Sequence, residues 1–320
     1  MEPRLDLKAF SEKVEQLKAE ASKALVGQKR MLELLLTAFF SGGHVLIEGV
    51  PGVAKTLAAK LMARMTTAAF KRIQFTPDLM PADILGTSIF NPKNTSFEYK
   101  QGPIFSNLVL IDEINRAPSK TQAALFEVME EKQVTQDGHL YEMEPLFMVL
   151  ATQNPIEQEG TYRLPEAQLD RFVFKINVDY PDRVEEQDIL RRQNEQPNFK
   201  DLSFIENVIS KEEVIAFRRH IMNILVKDEL LEYIAILVQK SRNHPSLFLG
   251  ASPRASIDLL NTAKALAGMR GRDFVTPEDI QFLFPSVVEH RIQLSADAEL
   301  QGFTLAEISR EILQQVKVPN

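Results

Sequence analysis

Residues 49–56 read GVPGVAKT, one residue away from the phosphate-binding pattern G-x-x-x-x-G-K-[ST]; Ala54 stands where the pattern has its second glycine. The flanks decide how the stretch folds. Before it, HVLIEG (44–49) is a short apolar run with β-branched residues, a buried strand that ends at a glycine. After it, KTLAAKLMARM (55–65) spaces Leu57, Leu61, Met62 and Met65 along one helical face. Strand, tight loop and helix in that order aim backbone N–H groups and a helix N-terminus at phosphate oxygens. Lys55 is then expected between the β- and γ-phosphates of a nucleotide, and the Thr56 hydroxyl on Mg²⁺. Ala54 is expected at the start of the helix with negative φ, where a Cβ is permitted and alanine favours helix over glycine by about 1 kcal/mol. Gly49 and Gly52 are expected where the chain needs positive φ or close approach. The candidate nucleotide contacts in this stretch are Gly49, Pro51, Gly52, Val53, Ala54, Lys55, Thr56 and Leu57.

Outward from the loop, strand and helix patterns alternate. Strand candidates fall at 44–48, 71–75, 108–112, 146–151 and 172–176, with helices between them, notably SKTQAALFEVMEEK (119–132). Such alternation implies a parallel sheet covered by helices on both faces. Two helices precede the sheet, at 5–24 and 28–41, the second closed by Gly42-Gly43. Past about residue 181 the pattern changes to helical stretches near 182–195, 211–225, 228–243, 252–269, 276–289 and 304–316. NEQPNFKD (194–201) looks like a connector. The expected organisation is an α/β nucleotide-binding domain over 1–193 and an all-helical domain over 194–320.

Composition narrows the function classes. At 320 residues the chain can bury a sizeable core, and 44% hydrophobic with 25% charged residues is a soluble globular balance. No apolar run reaches the roughly 18 residues of a membrane span, and MEPRLDLKAF has no signal-peptide core. The absence of cysteine rules out disulfide and thiol chemistry and fits a cytoplasmic protein. A net charge of −7 disfavours a general nucleic-acid coat, and the five histidines lack metal-site spacing.

A second half of the site follows the loop. LVLIDEINRAP (108–118) runs four apolar residues into Asp112 and Glu113. A carboxylate ending a strand beside a phosphate loop is where such enzymes hold Mg²⁺, and the next carboxylate can polarise the attacking water. VLATQNP (149–155) ends another apolar strand in Asn154, which could hold the same water or a γ-phosphate oxygen; by turn propensity alone Asn154-Pro155 reads sooner as a turn. LPEAQLDRF (164–172) sets Arg171 just before a strand, and ASPRAS (251–256) sets Arg254 near a helix N-terminus. A cation there opposes the helix dipole and hints at an anionic partner, with a solvated side chain as the plainer alternative for both arginines.

In order, phosphate loop, LIDE, ATQNP, LDRF and SPR resemble the AAA+ ATPases, and specifically the MoxR family. The matching phrases are EGVPGVAKT, QFTPDLMPADILG, LVLIDEINRAP, ALFEVMEE, ATQNPIEQEGTYRLPEAQLDRF and SPRA, spread over about residues 26–270. Alanine before the lysine is common in this family. The resemblance implies a P-loop core with a helical lid, ATP and Mg²⁺ as cofactors, and hydrolysis. It implies Lys55 and Thr56 as the phosphate-loop pair, Asp112 on Mg²⁺, Glu113 on water and Asn154 as the first sensor. Arg171 is similar to the finger that reaches a neighbouring subunit's nucleotide, and Arg254 to the second sensor, acting on its own subunit. Val26, Gly27 and Gln28 fall where the family packs on adenine. The segment 76–107 resembles the helix-2 insert and 133–146 the hairpin before the first sensor, both directed at a ring's pore. Family members form rings, usually hexamers, and act as chaperone-like remodellers of client proteins, often with von Willebrand factor A domain partners.

Two rival functions remain in view. A nucleic-acid motor would want basic residues in the pre-sensor hairpin, yet TQDGHLYEMEP (135–145) carries Asp137, Glu142 and Glu144 and no lysine or arginine. A non-hydrolysing scaffold would not need Glu113 and Arg171.

Overall fold

The computed structural model describes residues 7–50, 52–155, 161–195 and 202–319. Helices α1 (Leu7–Ser22) and α2 (Lys29–Ser41) precede β1 (Val45–Gly49) and α3 (Lys55–Met65). β2 (Phe70–Gln74), the short α4 (Pro81–Leu85) and a hairpin of β3 (Gly86–Asn91) and β4 (Ser96–Gln101) follow. Next come β5 (Leu108–Asp112), α5 (Ser119–Glu131) and a second hairpin of β6 (Gln133–Gln136) and β7 (His139–Glu142). β8 (Met148–Gln153), α6 (Glu166–Leu169) and β9 (Phe174–Val178) complete this half.

The central sheet has the order β2-β5-β8-β1-β9, and every neighbouring pair is parallel. Its five strands are the ones expected from the apolar runs. Successive side chains point to opposite faces, and both faces are covered. Val45, Ile47, Leu108, Leu110, Met148 and Leu150 enter one apolar cluster; Leu46, Val109, Ile111, Val149 and Ala151 enter the other. This double burial is why the strands read as continuous rather than alternating apolar runs. The two hairpins lie outside this sheet as separate two-stranded ribbons. The first was not among the sequence-based strands, although Asn91-Pro92 supplied a turn signal between its arms.

The remainder is helical: α7 (Arg183–Glu195), α8 (Lys211–Ile221), α9 (Asp228–Arg242), then, past the short strand β10 (Leu247–Leu249), α10 (Pro253–Met269) and α11 (Pro277–Val288). A second short strand, β11 (Gln293–Leu294), clips antiparallel to β10 and leads into α12 (Ala296–Leu300) and α13 (Leu305–Gln315). α7 runs through the expected boundary at 193/194, and residues 196–201 of the expected connector lie outside the described residues. α8, α9, α10, α11 and α13 of this half join α1, α2 and α3 in one apolar cluster, with Leu259, Leu266, Leu283 and Val287 among its fully buried members.

One buried polar side chain ties the sheet's N-terminal edge together. His44, just before β1, donates from Nε2 to the carbonyl of Met129 at 3.1 Å and accepts at Nδ1 from the N–H of Val149 at 2.9 Å. Burial holds its pKa down at about 4, against an ordinary 6.5. An unfolded chain therefore takes up a proton between pH 6.5 and 4 that the fold refuses. The stability conferred is complete above pH 6.5 and is lost as pH falls toward 4. Burial also holds His290 well below its ordinary value, with the same sign. We expect the unfolding free energy from urea titrations to fall between pH 7 and pH 4, with His44 contributing about 3 kcal/mol of that fall. A folded His44→Gln variant should show an acid-side loss smaller by about that amount.

Candidate active site

The phosphate loop joins the C-terminal end of β1 to α3. Pro51 lies outside the described residues. Gly52 has φ +91° with open space where a Cβ would stand. Gly49 is needed for close approach, since a Cβ there would meet the Val178 carbonyl oxygen at 2.6 Å. Ala54 departs from expectation. It is the cap residue of α3 rather than its first helical residue, and its φ of 59° is left-handed. A capping residue need not share helical dihedrals. The glycine of the general pattern suits this conformation, and alanine bears a Cβ cost there of about 1–2 kcal/mol.

The side chains converge at the C-terminal ends of β1, β5 and β8. Lys55 Nζ donates to the carbonyls of Gly49 and of Gln153, the latter at 3.3 Å. Thr56 Oγ1 lies 3.4 Å from Asp112 Oδ1, and Thr152 Oγ1 donates to the same oxygen at 3.0 Å. Thr152 also accepts the N–H of Glu113 at 3.0 Å, so one hydroxyl fixes both carboxylate-bearing residues to β8. Glu113 is left-handed, with φ 58°, which turns its side chain off the line of the strand. Its carboxylate accepts from Gln74 Nε2 at 2.8 Å and pairs with Arg116 at 3.1 Å. Arg72 Nε donates to Asp112 Oδ2 at 2.6 Å. Asn154 is buried immediately after the last residue of β8.

These groups fit a magnesium nucleotide. A hydroxyl and a carboxylate side by side are the hard oxygen donors that Mg²⁺ takes. A lysine at a helix N-terminus behind a glycine-containing loop suits phosphate. Val26, Gly27 and Gln28 form the turn between α1 and α2. They border a cleft of about 580 Å³ that Leu25, Leu32, Asp188 and Arg192 also line, within the range of small-molecule sites. The Glu185 carboxylate of α7 packs directly against Gly27.

The two distal arginines stand apart from this cluster. Arg171 lies just before β9, and the N–H of Val173 bonds the carbonyl of His44 at 2.8 Å, at the N-terminal edge of the sheet. The phosphate loop leaves the opposite edge, a five-residue strand away, or about 16 Å. Arg171 donates to the carbonyl of Phe126 at 2.7 Å and pairs with Glu130 near the end of α5. Arg254, in the first turn of α10, lies 3.4 Å from the same Glu130 carboxylate. The expected division, with Arg171 facing a neighbour's nucleotide and Arg254 its own, does not fit this arrangement. Both guanidinium groups share one carboxylate at the edge remote from their own loop.

Sequence reasoning missed Thr152, Gln74, Arg72 and Glu130. Thr152 was visible as a polar residue two before Asn154. Gln74 and Arg72 lie on β2, and only the strand order places them beside Asp112 and Glu113.

Comparison with known proteins agrees with this geometry. Residues 44–174 match the "ATPase family associated with various cellular activities (AAA)" and residues 239–315 an AAA lid domain. The fold and site thus define a P-loop ATPase of the AAA class. The chain is 42% identical to Chaperone MoxR1 of Mycobacterium tuberculosis over 94% of its length and 81% of the relative's. It is 49% identical to YeaC of Bacillus subtilis over 93% of its length and 92% of the relative's. A solved structure from Cytophaga hutchinsonii superposes with a TM-score of 0.90 at 42% identity, covering 98% of this chain and 97% of that one. The chain belongs to the MoxR family of AAA+ ATPases.

Left-handed Ala54 gives a direct test of the loop geometry. Glycine would remove a Cβ cost of about 1–2 kcal/mol and return about 0.5–1 kcal/mol as lost chain entropy. We expect Ala54→Gly to stabilise the fold by about 0.5–1 kcal/mol, seen by calorimetry as a rise in Tm of about 2 °C.

Proposed function

We propose that this ATPase hydrolyses Mg²⁺–ATP in a ring of its own copies, and that the cycle drives chaperone-like remodelling of client proteins. The nucleotide-binding unit is taken as residues 1–193 and the lid as 194–320. Within one subunit Lys55 draws the phosphates in, Thr56 and Asp112 hold Mg²⁺, and Val26, Gly27 and Gln28 pack on the base. Bound Mg²⁺ supplies charge to the phosphate oxygens. Glu113 takes the role of polarising the attacking water, and Asn154 that of orienting it.

The observation that carries the ring is the position of Arg171 and Arg254. Two cations on one half-exposed carboxylate, remote from their own phosphate loop, suit an anion brought by another subunit. Arg171 is assigned as the finger on the neighbour's γ-phosphate, and Arg254 is reassigned from its own nucleotide to the neighbour's. The hexamer, the cytoplasmic location and a von Willebrand factor A domain partner are further parts of this reading, supported by the family alone.

Client contact is assigned to the two hairpins. Tyr99 of β4 stacks on Tyr141 of β7 with centroids 4.4 Å apart, and Ser88 donates to Asp137. The joined hairpins expose Ile89, Phe90, Phe97 and Leu140, with the Phe90 and Phe97 rings 5.4 Å apart. Clustered apolar side chains held in water suit transient contact with protein rather than with phosphate backbone.

Glu113→Gln should bind ATP with unchanged affinity while kcat falls by about 10²–10⁴; a variant retaining most of its turnover would remove Glu113 from the mechanism. Lys55→Ala and Arg171→Ala should each be nearly inactive alone, since fingers measured in other NTPases contribute on the order of 10³–10⁵ in kcat. Mixed, they can form an interface with an intact loop from one subunit and an intact arginine from the next. Phosphate release should partly return, and only at concentrations that permit assembly. No recovery in mixed rings of confirmed mass would place Arg171 outside a shared site.

A further inference from the structure

Next to the two distal arginines lies a set of charges centred on one buried guanidinium. Arg291, between α11 and β11, is almost wholly buried. Its Nε lies 2.8 Å from Asp170 Oδ1 as an ion pair, and its Nη2 donates to Asp258 Oδ2 at 2.5 Å. Nη2 also reaches the carbonyls of Asp170 at 3.0 Å and Phe172 at 2.9 Å, and Nη1 reaches that of Val287 at 3.1 Å. His290 Nε2 donates to the same Phe172 carbonyl at 2.9 Å. The lid therefore grips the main chain on both sides of Arg171.

A second grip comes from α10. Its cap residue Ser252 donates to Asp170 Oδ2 at 2.9 Å and accepts from the Arg254 N–H at 3.2 Å. Asp258, the other partner of Arg291, lies one turn beyond Arg254 on the same helix. Asp170 and Asp258 thus tie the backbones of Arg171 and Arg254 to one guanidinium.

We propose that Arg291 is a positioning residue for ATP hydrolysis: through Asp170 and Asp258 it fixes Arg171 and Arg254 as one unit that a subunit presents to its neighbour's nucleotide. This rests on the assignment of Arg171 as a finger given above. An ion triad built on one buried guanidinium contributes little to net stability compared with a well-packed apolar cluster. It does fix direction, because a forked guanidinium hydrogen-bonded to one carboxylate and three carbonyls, and ion-paired with a second carboxylate, is held in one orientation. A finger displaced by about 1 Å costs on the order of 10² in rate. Lysine at 291 would keep the charge and lose the fork.

The test uses the full chain and measures phosphate release with ATP titrated, alongside Mg²⁺–ADP binding. Arg291→Lys should lower kcat by about 10–100-fold while KM for ATP and the Kd for ADP stay within about twofold. In the Arg171→Ala background the same substitution should change the residual rate by less than about twofold, because the group it positions is gone. Ser252→Ala removes one hydroxyl from the grip and should lower kcat about fivefold, an effect that also vanishes in the Arg171→Ala background. If Arg291→Lys does not fold, Ser252→Ala decides alone. Unchanged kcat, or an equal proportional loss in both backgrounds, overturns the proposal with the finger intact. Wild-type turnover by Arg171→Ala itself overturns the finger assignment and the proposal together, which separates the two failures.

Discussion

The polarity of the parallel sheet governs everything else in this molecule. Because β2, β5, β8, β1 and β9 all run the same way, their carboxyl ends gather at one edge and their amino ends at the other. Open α/β sheets bind ligands at the carboxyl edge, where loops leave adjacent strands. Lys55, Asp112 and Asn154 arrive there from three neighbouring strands. A residue placed before a strand is carried to the far edge by the same rule. Arg171 precedes β9 and sits there with His44. Glu130 joins them because α5 returns from the carboxyl edge of β5 to the amino edge of the sheet. On the proposed reading, a site that includes Arg171 therefore takes in a second sheet.

The two acids at the end of β5 show how neighbours divide labour between similar groups. Asp112 is buried and shared between Thr56, Thr152 and Arg72; Glu113 is half-exposed and held by Gln74 and Arg116. The difference begins in the backbone, where the left-handed φ of Glu113 turns its side chain off the strand. Non-glycine residues in that region carry strain of order 1–3 kcal/mol and concentrate at functional sites. Ala54 and Glu113 are two of the five such residues among those described, and they flank the same cluster. Arg72 and Gln74 both belong to β2, whose chain continues past Phe75 into α4 and the first hairpin. The partners of both acids and the exposed aromatic tip are therefore carried by one continuous segment.

Much of this is legible in the amino-acid sequence. Strands buried on both faces announce themselves as apolar runs, so VLIEG, LVLID and MVLAT were found within two residues of their observed bounds. Asp112, Glu113, Lys55 and Thr56 were legible because their roles depend on position relative to a strand end. The local conformation of Ala54 was not, since helix propensity describes residues inside a helix and Ala54 is the cap. The β3–β4 ribbon escaped because most of its residues are exposed and its strands pair only with each other, leaving no apolar run to read. Arg72, Gln74, Glu130 and Arg291 escaped for a common reason. Each matters through a partner far away in sequence, and the pairing exists only once strand order and lid placement are fixed.

The lid shows why apolar and polar contacts cannot substitute for one another. Its helices α8, α9, α10, α11 and α13 share a continuous apolar cluster with α1, α2 and α3, and burial of that kind holds two parts together without fixing their angle, because it scales with area and not direction. Angle comes from directional groups. Arg291 and His290, neighbours in one turn after α11, and Ser252, at the start of α10, bond residues 170–172 from two parts of the lid, and two such anchors restrict rotation at that point. A charged and hydroxylic part of the junction lies beside Arg171 and Arg254. Charged and hydroxylic residues are costly to bury; on the proposed reading that cost is offset by the fixed orientation it gives Arg171 and Arg254.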